Sequence, residues 1–503
     1  MPDSSPSPLD RRPQLLYLGA VLLLTILSLW PIWAVEFPPL QDYPQHLFLA
    51  HVNATYTDQA YNWSHYYQAT LRPGPYTLFY YLIVWLEAVM PVTVAGKVYL
   101  SCYIGLMAGV AVAVAKKGPR GNPPWASLLI FPLAFHQMYF MGFTNFLLSV
   151  PLLALACLDH QRLAAVAGAK GVAYLRQAIL VTLLFLCHPY TILVYIGLTA
   201  AGALVPTVAG FRPKVALLPP LVTALIFAAW YMATLPPNQG RMPLLWWPVS
   251  ETLTYYLLMF TGMRWTAGIH WPTLAVWSAA LALVLFGAWQ SLREGVALPT
   301  RRALAFGLAT LGFFALPFWA GQYSYFNLRL APISYLFFAI LASACTLSPR
   351  TGLVLTGLAA LLIGQSATLQ GAVSAETAEL KPILAGMVPN ATLLPMTFKT
   401  ESAILDRHFF PEAHSHDHFY YHLLVGGGAS PSLFPSPMLP VKLRSGLDLP
   451  LATHDFSWQE HGAKYTYILS RGAPEGFAPF VSRYAPQVGH SGQWLLFINE
   501  RRR

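Results

Sequence analysis

The sequence predicts a mainly α-helical, polytopic membrane protein with a small C-terminal extramembrane α+β domain. Three observations carry that fold class. Of the 503 residues, 56% are apolar and only 10% are charged, against about 25% charged in an ordinary soluble domain. Apolar segments recur along residues 14–369 and then stop. The charge is also uneven: residues 1–369 hold 19 Lys and Arg against 9 Asp and Glu, whereas residues 370–503 hold 11 of each. Mean hydropathy is +0.49. A soluble enzyme and a disordered chain are excluded by this composition. So is a nucleic-acid partner, because the basic residues sit in short loops between apolar segments instead of forming one basic face.

The first apolar segment, 14–35, follows Arg11-Arg12. Its length exceeds a signal-peptide core and no small-x-small exit follows. It is long enough for a ~30 Å hydrocarbon core and is read as an uncleaved first span. Further apolar segments lie at 98–115, 124–141, 143–158, 173–187, 190–209, 215–235, 272–291, 303–320, 331–347 and 351–369, which makes about eleven transmembrane helices. With Arg11 and Arg12, one alternating set of loops holds 14 of the 19 basic residues, and the positive-inside rule makes that side cytoplasmic. Residues 76–90 (YTLFYYLIVWLEAVM) are apolar too. A crossing there would invert every later loop, so a juxtamembrane helix is expected.

The chain thus reads as a multi-pass integral protein of a bacterial inner membrane, N-terminus cytoplasmic. It divides into a body, 1–369, whose first outer loop is 35–97, and an extracytoplasmic domain, 370–503. In that domain, period-2 runs at 391–399, 464–470 and 493–499 predict strands, and the Gly/Pro/Ser-rich stretch 426–440 a long loop. Cys102, Cys157, Cys187 and Cys345 all fall in apolar runs, so neither a disulfide framework nor a Cys-type zinc site is available.

The polar residues of the body gather at one rim. His46, His51, His65, His136, His188 and His270 fall at outer ends, with Glu36, Asp42, Asp58, Asn145, Glu251, Asn327 and Arg329. Ionisable groups in a membrane protein are costly and mark function; at one rim they fit an enzyme acting at the outer face. A proton-coupled carrier would place carboxylates near mid-membrane. In the first outer loop, Pro38-Pro39 stiffen the exit of the span, Asp42 follows, and His46 lies one helical turn on. Asp42 reads either as a general base or as a helix N-cap. Arg329, in YFNLRLAP (325–332) with Asn327, is either a phosphate ligand or a snorkelling anchor. Lys97, Arg241 and Arg264 are further cations on that side. His46, His188 and Asn145 can orient an acceptor or can simply shape the turns they occupy. The tract DRHFFPEAHSHDHFYYH (406–422) offers His414, His416 and His418, which on a strand would point one way. A divalent metal, a substrate lining and a plain polar loop all remain open there.

The acidic residue in a long first outer loop, segment 76–90 before a span ending in Lys116-Lys117, and the run YFNLRLAP resemble the GT-C superfamily of membrane glycosyltransferases. Protein O-mannosyltransferases and the lipid A aminoarabinose transferases are members. The runs MGFTNFLLSVPLLALA (141–156) and LCHPYTIL (186–193), and the ending KYTYILSRG…SGQWLLFINE, are similar to bacterial proteins of this kind. The resemblance implies a GT-C-like fold and transfer of a sugar from a polyprenyl-phosphate donor to a lipid, glycan or protein acceptor in the envelope. It implies inversion, Asp42 as general base and Arg329 on the leaving phosphate. Many members carry two adjacent acids in this loop; here Gln41 precedes Asp42, which favours a base-only mechanism over a metal-dependent one. Two alternatives of other classes stand beside it: a carrier or flippase for a lipid-linked saccharide, and a non-catalytic subunit presenting the C-terminal domain.

Overall fold

The structure is a computed structural model that describes residues 8–115, 123–165, 171–205, 213–234, 244–259, 264–320, 324–407, 410–434, 439–452 and 456–502. Its principal helices are α1 (Pro8–Ala34), α2 (Tyr43–Ala54), α3 (Leu78–Glu87), α4 (Val92–Ala115), α5 (Thr144–Ala165) and α6 (Gly171–Cys187). They continue with α7 (Pro189–Leu204), α8 (Pro213–Thr234), α9 (Trp271–Arg293), α10 (Thr300–Ala315), α11 (Leu330–Ala342) and α12 (Pro349–Ala378). Among the described residues, six helices are long and apolar enough to cross a membrane: α1, α4, α5, α8, α9 and α12. The chain divides into two compact units. One comprises Met1–Pro31, Ser101–Met138 and Asn145–Thr368; the other comprises Ile32–Leu100, Tyr139–Thr144 and Leu369–Arg503. The first outer loop therefore belongs with the C-terminal residues and not with the helical body.

In the first unit, α1, α8 and α9 expose Leu18, Leu22, Ile26, Leu221, Leu225, Leu281 and Leu285. Apolar side chains in such numbers are at home against lipid tails, not water. By contrast, 83% of the apolar window of α5 is buried, so this helix is interior. The expected span at 124–141 is not a helix. It forms 3-10 turns at Trp125–Ile130 and Pro132–Ala134 and a four-residue helical piece, Gln137–Phe140. Pro123, Pro124 and Pro132 lack the amide donors a continuous helix needs. Residues 123–142 are all buried, the condition under which non-helical backbone is tolerated at membrane depth. Polar contacts hold the unit's helices together. Tyr17 Oη donates to Ala111 O (3.0 Å) and bonds Ser127 Oγ (2.8 Å). Buried Arg302 donates to Ile340 O (3.2 Å) and Ser343 Oγ (2.9 Å), covering the C-terminal end of α11.

In the second unit, α3 has ten residues, about 15 Å at 1.5 Å per residue, half of a hydrocarbon core. It is not among the six helices long and apolar enough to cross. The strands are β1 (Tyr67–Ala69), β2 (Leu393–Thr397), β3 (Val441–Leu443), β4 (Tyr467–Arg471), β5 (Gln487–Ser491) and β6 (Trp494–Ile498). Four form a sheet in the order β2-β4-β6-β5, β2 parallel to β4 and the other pairs antiparallel. The three alternating runs of the sequence are β2, β4 and β6. The missed strand, β5, is an exposed edge with Gly489 inside it, a composition that weakens a strand signal. Leu394, Met396, Tyr465, Ile468, Val481 and Phe497 form the core on the sheet. β1 pairs with β3 in the register Tyr67↔Leu443, which fastens the first outer loop to the C-terminal residues.

Candidate functional site

Asp42 opens α2 at φ −86°, ψ −10°, and its side chain makes no capping hydrogen bond. The N-cap alternative therefore does not describe this carboxylate. Proline in the first turn presets the helical φ. Backbone bonds do the rest: Gln41 N donates to Phe140 O (2.8 Å) and Asp42 N to Met141 O (3.2 Å). The neighbouring Gly142 sits at φ +71°, and a Cβ there would lie 2.8 Å from both Asp42 N and Tyr43 N. Gly142→Ala is expected to cost at least the ~1–2 kcal/mol of a left-handed non-glycine residue and to displace the start of α2. Thermal unfolding in detergent checks this; an unchanged melting temperature would show that the contact relaxes freely.

Asp42 is 8% exposed. Gln41 Nε2 donates to its Oδ1 (3.2 Å), and His416 Nε2 stands 3.6 Å from the same oxygen. One turn along α2, His46 Nδ1 bonds Tyr80 Oη (2.8 Å). The Phe434 ring lies between His46 (5.4 Å) and His416 (4.8 Å). Asp42, His46, Tyr80, His416 and Phe434 thus form one group. Burial pushes the His46 pKa down to about 4; burial, with His46 nearby, pushes His416 down to about 3. Burial also holds His418 well below its ordinary value and brings His422 to about 4. At neutral pH these rings are uncharged hydrogen-bonding groups, not cations.

His414 differs. Its Nδ1 bonds Asp417 Oδ2 (2.7 Å) and its Nε2 bonds Glu376 Oε2 (3.0 Å). Burial opposes its charge, but the two carboxylates outweigh burial and raise its pKa. His414, His416 and His418 therefore do not converge as a metal triplet. Residues 411–418 form consecutive turns, not a strand, so alternate residues do not share a face. Among the described residues, no three His, Cys, Asp or Glu side chains are placed to hold a metal. His408 lies outside the described residues.

These shifts set a pH dependence. An unfolded histidine titrates near ~6.5. As pH falls from there toward 4 and then 3, the unfolded chain takes up protons that folded His46, His422 and His416 refuse, so stability falls across that window. His414 has the opposite sign: its contribution is complete below ~6.5 and is lost as pH rises through its raised folded value. With more groups lowered than raised, the melting temperature in detergent is expected to drop between pH 7 and pH 4. A flat profile would contradict the burial of these rings.

The other candidates lie in the first unit. His188 caps α7, its Nδ1 accepting from Tyr190 N (3.2 Å), so it shapes that turn. Arg329 closes a 3-10 turn before α11 and donates to Ser324 O (2.7 Å) and Tyr325 O (3.1 Å). Its charge acts on both His188 and Tyr190, and Phe326 meets the Tyr190 ring edge-on at 5.0 Å. Asn327 Nδ2 donates to Phe313 O (3.1 Å), fixing the turn to the end of α10. Asn145 is buried in the first turn of α5, next to Phe146, whose ring meets His188.

Among the remaining acids, Glu36 pairs with Lys381 (2.8 Å) and Asp58 accepts from Ala60 N (2.9 Å). Lys97 donates to Val35 O. Arg264 lies in a two-residue strand, Arg264–Trp265, and Arg241 lies outside the described residues. Tyr80 and Gln45 escaped notice in the sequence. Tyr80 is one aromatic in an apolar run; Gln45 is fully buried with neither amide atom hydrogen-bonded among the described residues, and its i+3 spacing from Asp42 was the available signal. No family model matches the chain, and no curated protein or solved structure matches it.

Proposed function

We propose that this chain is a membrane glycosyltransferase of GT-C type that moves a sugar from a polyprenyl-phosphate donor to an envelope acceptor at the outer face. The observation that carries this is the Asp42 carboxylate: buried, not used to cap its helix, and flanked by uncharged imidazoles. A carboxylate so placed can take the proton of an acceptor hydroxyl. The oxygen then attacks the anomeric carbon, the bond to phosphate breaks, and the configuration inverts. Arg329 is assigned to the leaving phosphate, whose growing charge a guanidinium stabilises.

The topology proposed with it keeps the basic loops cytoplasmic and residues 370–503 extracytoplasmic. Lys116-Lys117 follow α4 and Arg162 ends α5. Both basic ends share a side only if the chain between them returns across the membrane, so 124–141 is assigned as a buried, non-helical crossing. The test is a mass profile of envelope glycans and glycolipids from a deletion strain complemented with wild type or Asp42→Asn at matched membrane expression. Restoration of a sugar-sized mass difference by wild type alone supports the transferase. Equal restoration by both removes Asp42 from the chemistry and moves a carrier or presenting subunit ahead.

A further inference from the structure

The first unit contains a second polar feature, remote from Arg329 and independent of the transferase reading. Where the ends of α5, α7 and α10 meet, a cavity is lined by His160 and Gln161 of α5, Thr199 and Gly202 of α7, and Arg301 and Ala305 of α10. The centre of a water-sized sphere has about 20 Å³ to move in there, space for a small oxyanion but not for a sugar ring.

Its chemistry has one sign. Arg301 supplies a permanent cation, aimed by the bond from its Nε to Gly202 O (3.2 Å). Arg301 also lies in the first turn of α10, a sixteen-residue helix whose N-terminus no side chain caps and whose dipole favours an anion there. Among the described residues, no carboxylate lines the cavity. The nearest in sequence, Asp159, is occupied by Arg176 (2.6 Å). The independent observation is His160: 4% exposed, on the cavity wall, with a buried Nδ1 that has no hydrogen-bond partner among the described residues. A buried imidazole nitrogen without a partner costs free energy, and a ligand oxygen or hydroxyl removes that cost.

Arg162 lies in the last turn of α5, and a second cation at that helix end adds to the local attraction for anions. Along α10, Arg301 precedes Phe313, which bonds Asn327, by twelve residues, about 18 Å at 1.5 Å each. The cavity is therefore not the place assigned above to a donor phosphate.

We infer that this cavity is a binding site for a phosphate group, held by Arg301, His160 and Gln161 at the N-terminus of α10. Two sources share that chemistry: inorganic phosphate and the terminal phosphomonoester of an anionic lipid.

The test uses the purified full-length protein in detergent, with three probes: phosphatidic acid and phosphatidylcholine by native mass spectrometry, and inorganic phosphate by thermal shift against chloride at equal ionic strength. Arg301→Gln removes the cation. Ala305→Leu fills the cavity and leaves every polar lining group in place, so it serves if Arg301→Gln fails to fold. Expected is a phosphatidic acid adduct, or a phosphate-dependent rise in melting temperature, that weakens at least tenfold in both variants, while phosphatidylcholine shows no such dependence. An effect of inorganic phosphate identifies the free anion as sufficient; an effect of phosphatidic acid alone identifies a lipid. If neither probe binds, or if Ala305→Leu binds both as wild type does, the site does not exist.

Discussion

Asp42→Asn is expected to lower sugar transfer by about 10²–10⁴-fold, the usual contribution of a general base, while leaving the melting temperature close to that of wild type. The change keeps the size of the side chain and an acceptor oxygen for Gln41 Nε2. It does not disturb α2, whose start is held by backbone bonds to Phe140 and Met141 and by proline in its first turn. Asp42→Ala sharpens the test. A capping aspartate would cost about 0.5–2 kcal/mol on truncation, whereas this carboxylate makes no capping bond, so Asp42→Ala should lose activity with little loss of stability. The measurement is transfer from a polyprenyl-phosphate sugar by membranes of matched expression, paired with unfolding in detergent. Full activity in Asp42→Asn would end the base assignment; a stability loss in Asp42→Ala alone would restore the cap.

His414→Ala should be the most destabilising single change in the second unit, by about 3–5 kcal/mol, the cost of removing one partner from a buried charged cluster. Its ring is wholly buried and both nitrogens face carboxylates, Asp417 at 2.7 Å and Glu376 at 3.0 Å. Asp417 Oδ2 also accepts from Thr377 Oγ1 (3.1 Å), so the pair joins the turns of 411–418 to the end of α12. Truncation leaves two acids facing each other across a void. Arg471, buried nearby, eases their charge but directs its own bonds to Lys399 O and Glu401 O. His416 lies two residues along the same turns, so its approach to Asp42 should loosen as well. Chemical unfolding of the detergent-solubilised protein checks the magnitude. A loss below ~1 kcal/mol would mean that the acids take up protons and no longer need the imidazole.

Much of the architecture was legible in local pattern. Uninterrupted apolar length marked α1, α4, α5, α8, α9 and α12, because crossing a hydrocarbon core demands that length. Alternation marked β2, β4 and β6, because successive side chains of a strand point to opposite faces, although in the folded sheet nearly all of these residues are buried. Segment 124–141 was misread as a helix: hydropathy records what environment a segment prefers, not the path of its backbone, and a protein interior accepts coil that lipid would not. Its three prolines were the visible warning.

The sequence by itself determined the membrane class, the strand-forming C-terminal residues and the acid that follows the first helix, since each is written in composition or short-range spacing. Only the tertiary structure decided what surrounds that acid. That Asp42 leaves its helix uncapped, that His416 comes within 3.6 Å of it, that His414 turns instead to Glu376 and Asp417, and that the first outer loop belongs with the C-terminal residues are contacts between segments far apart in the chain. No local period encodes them; packing and the pairing of buried charge bring them together.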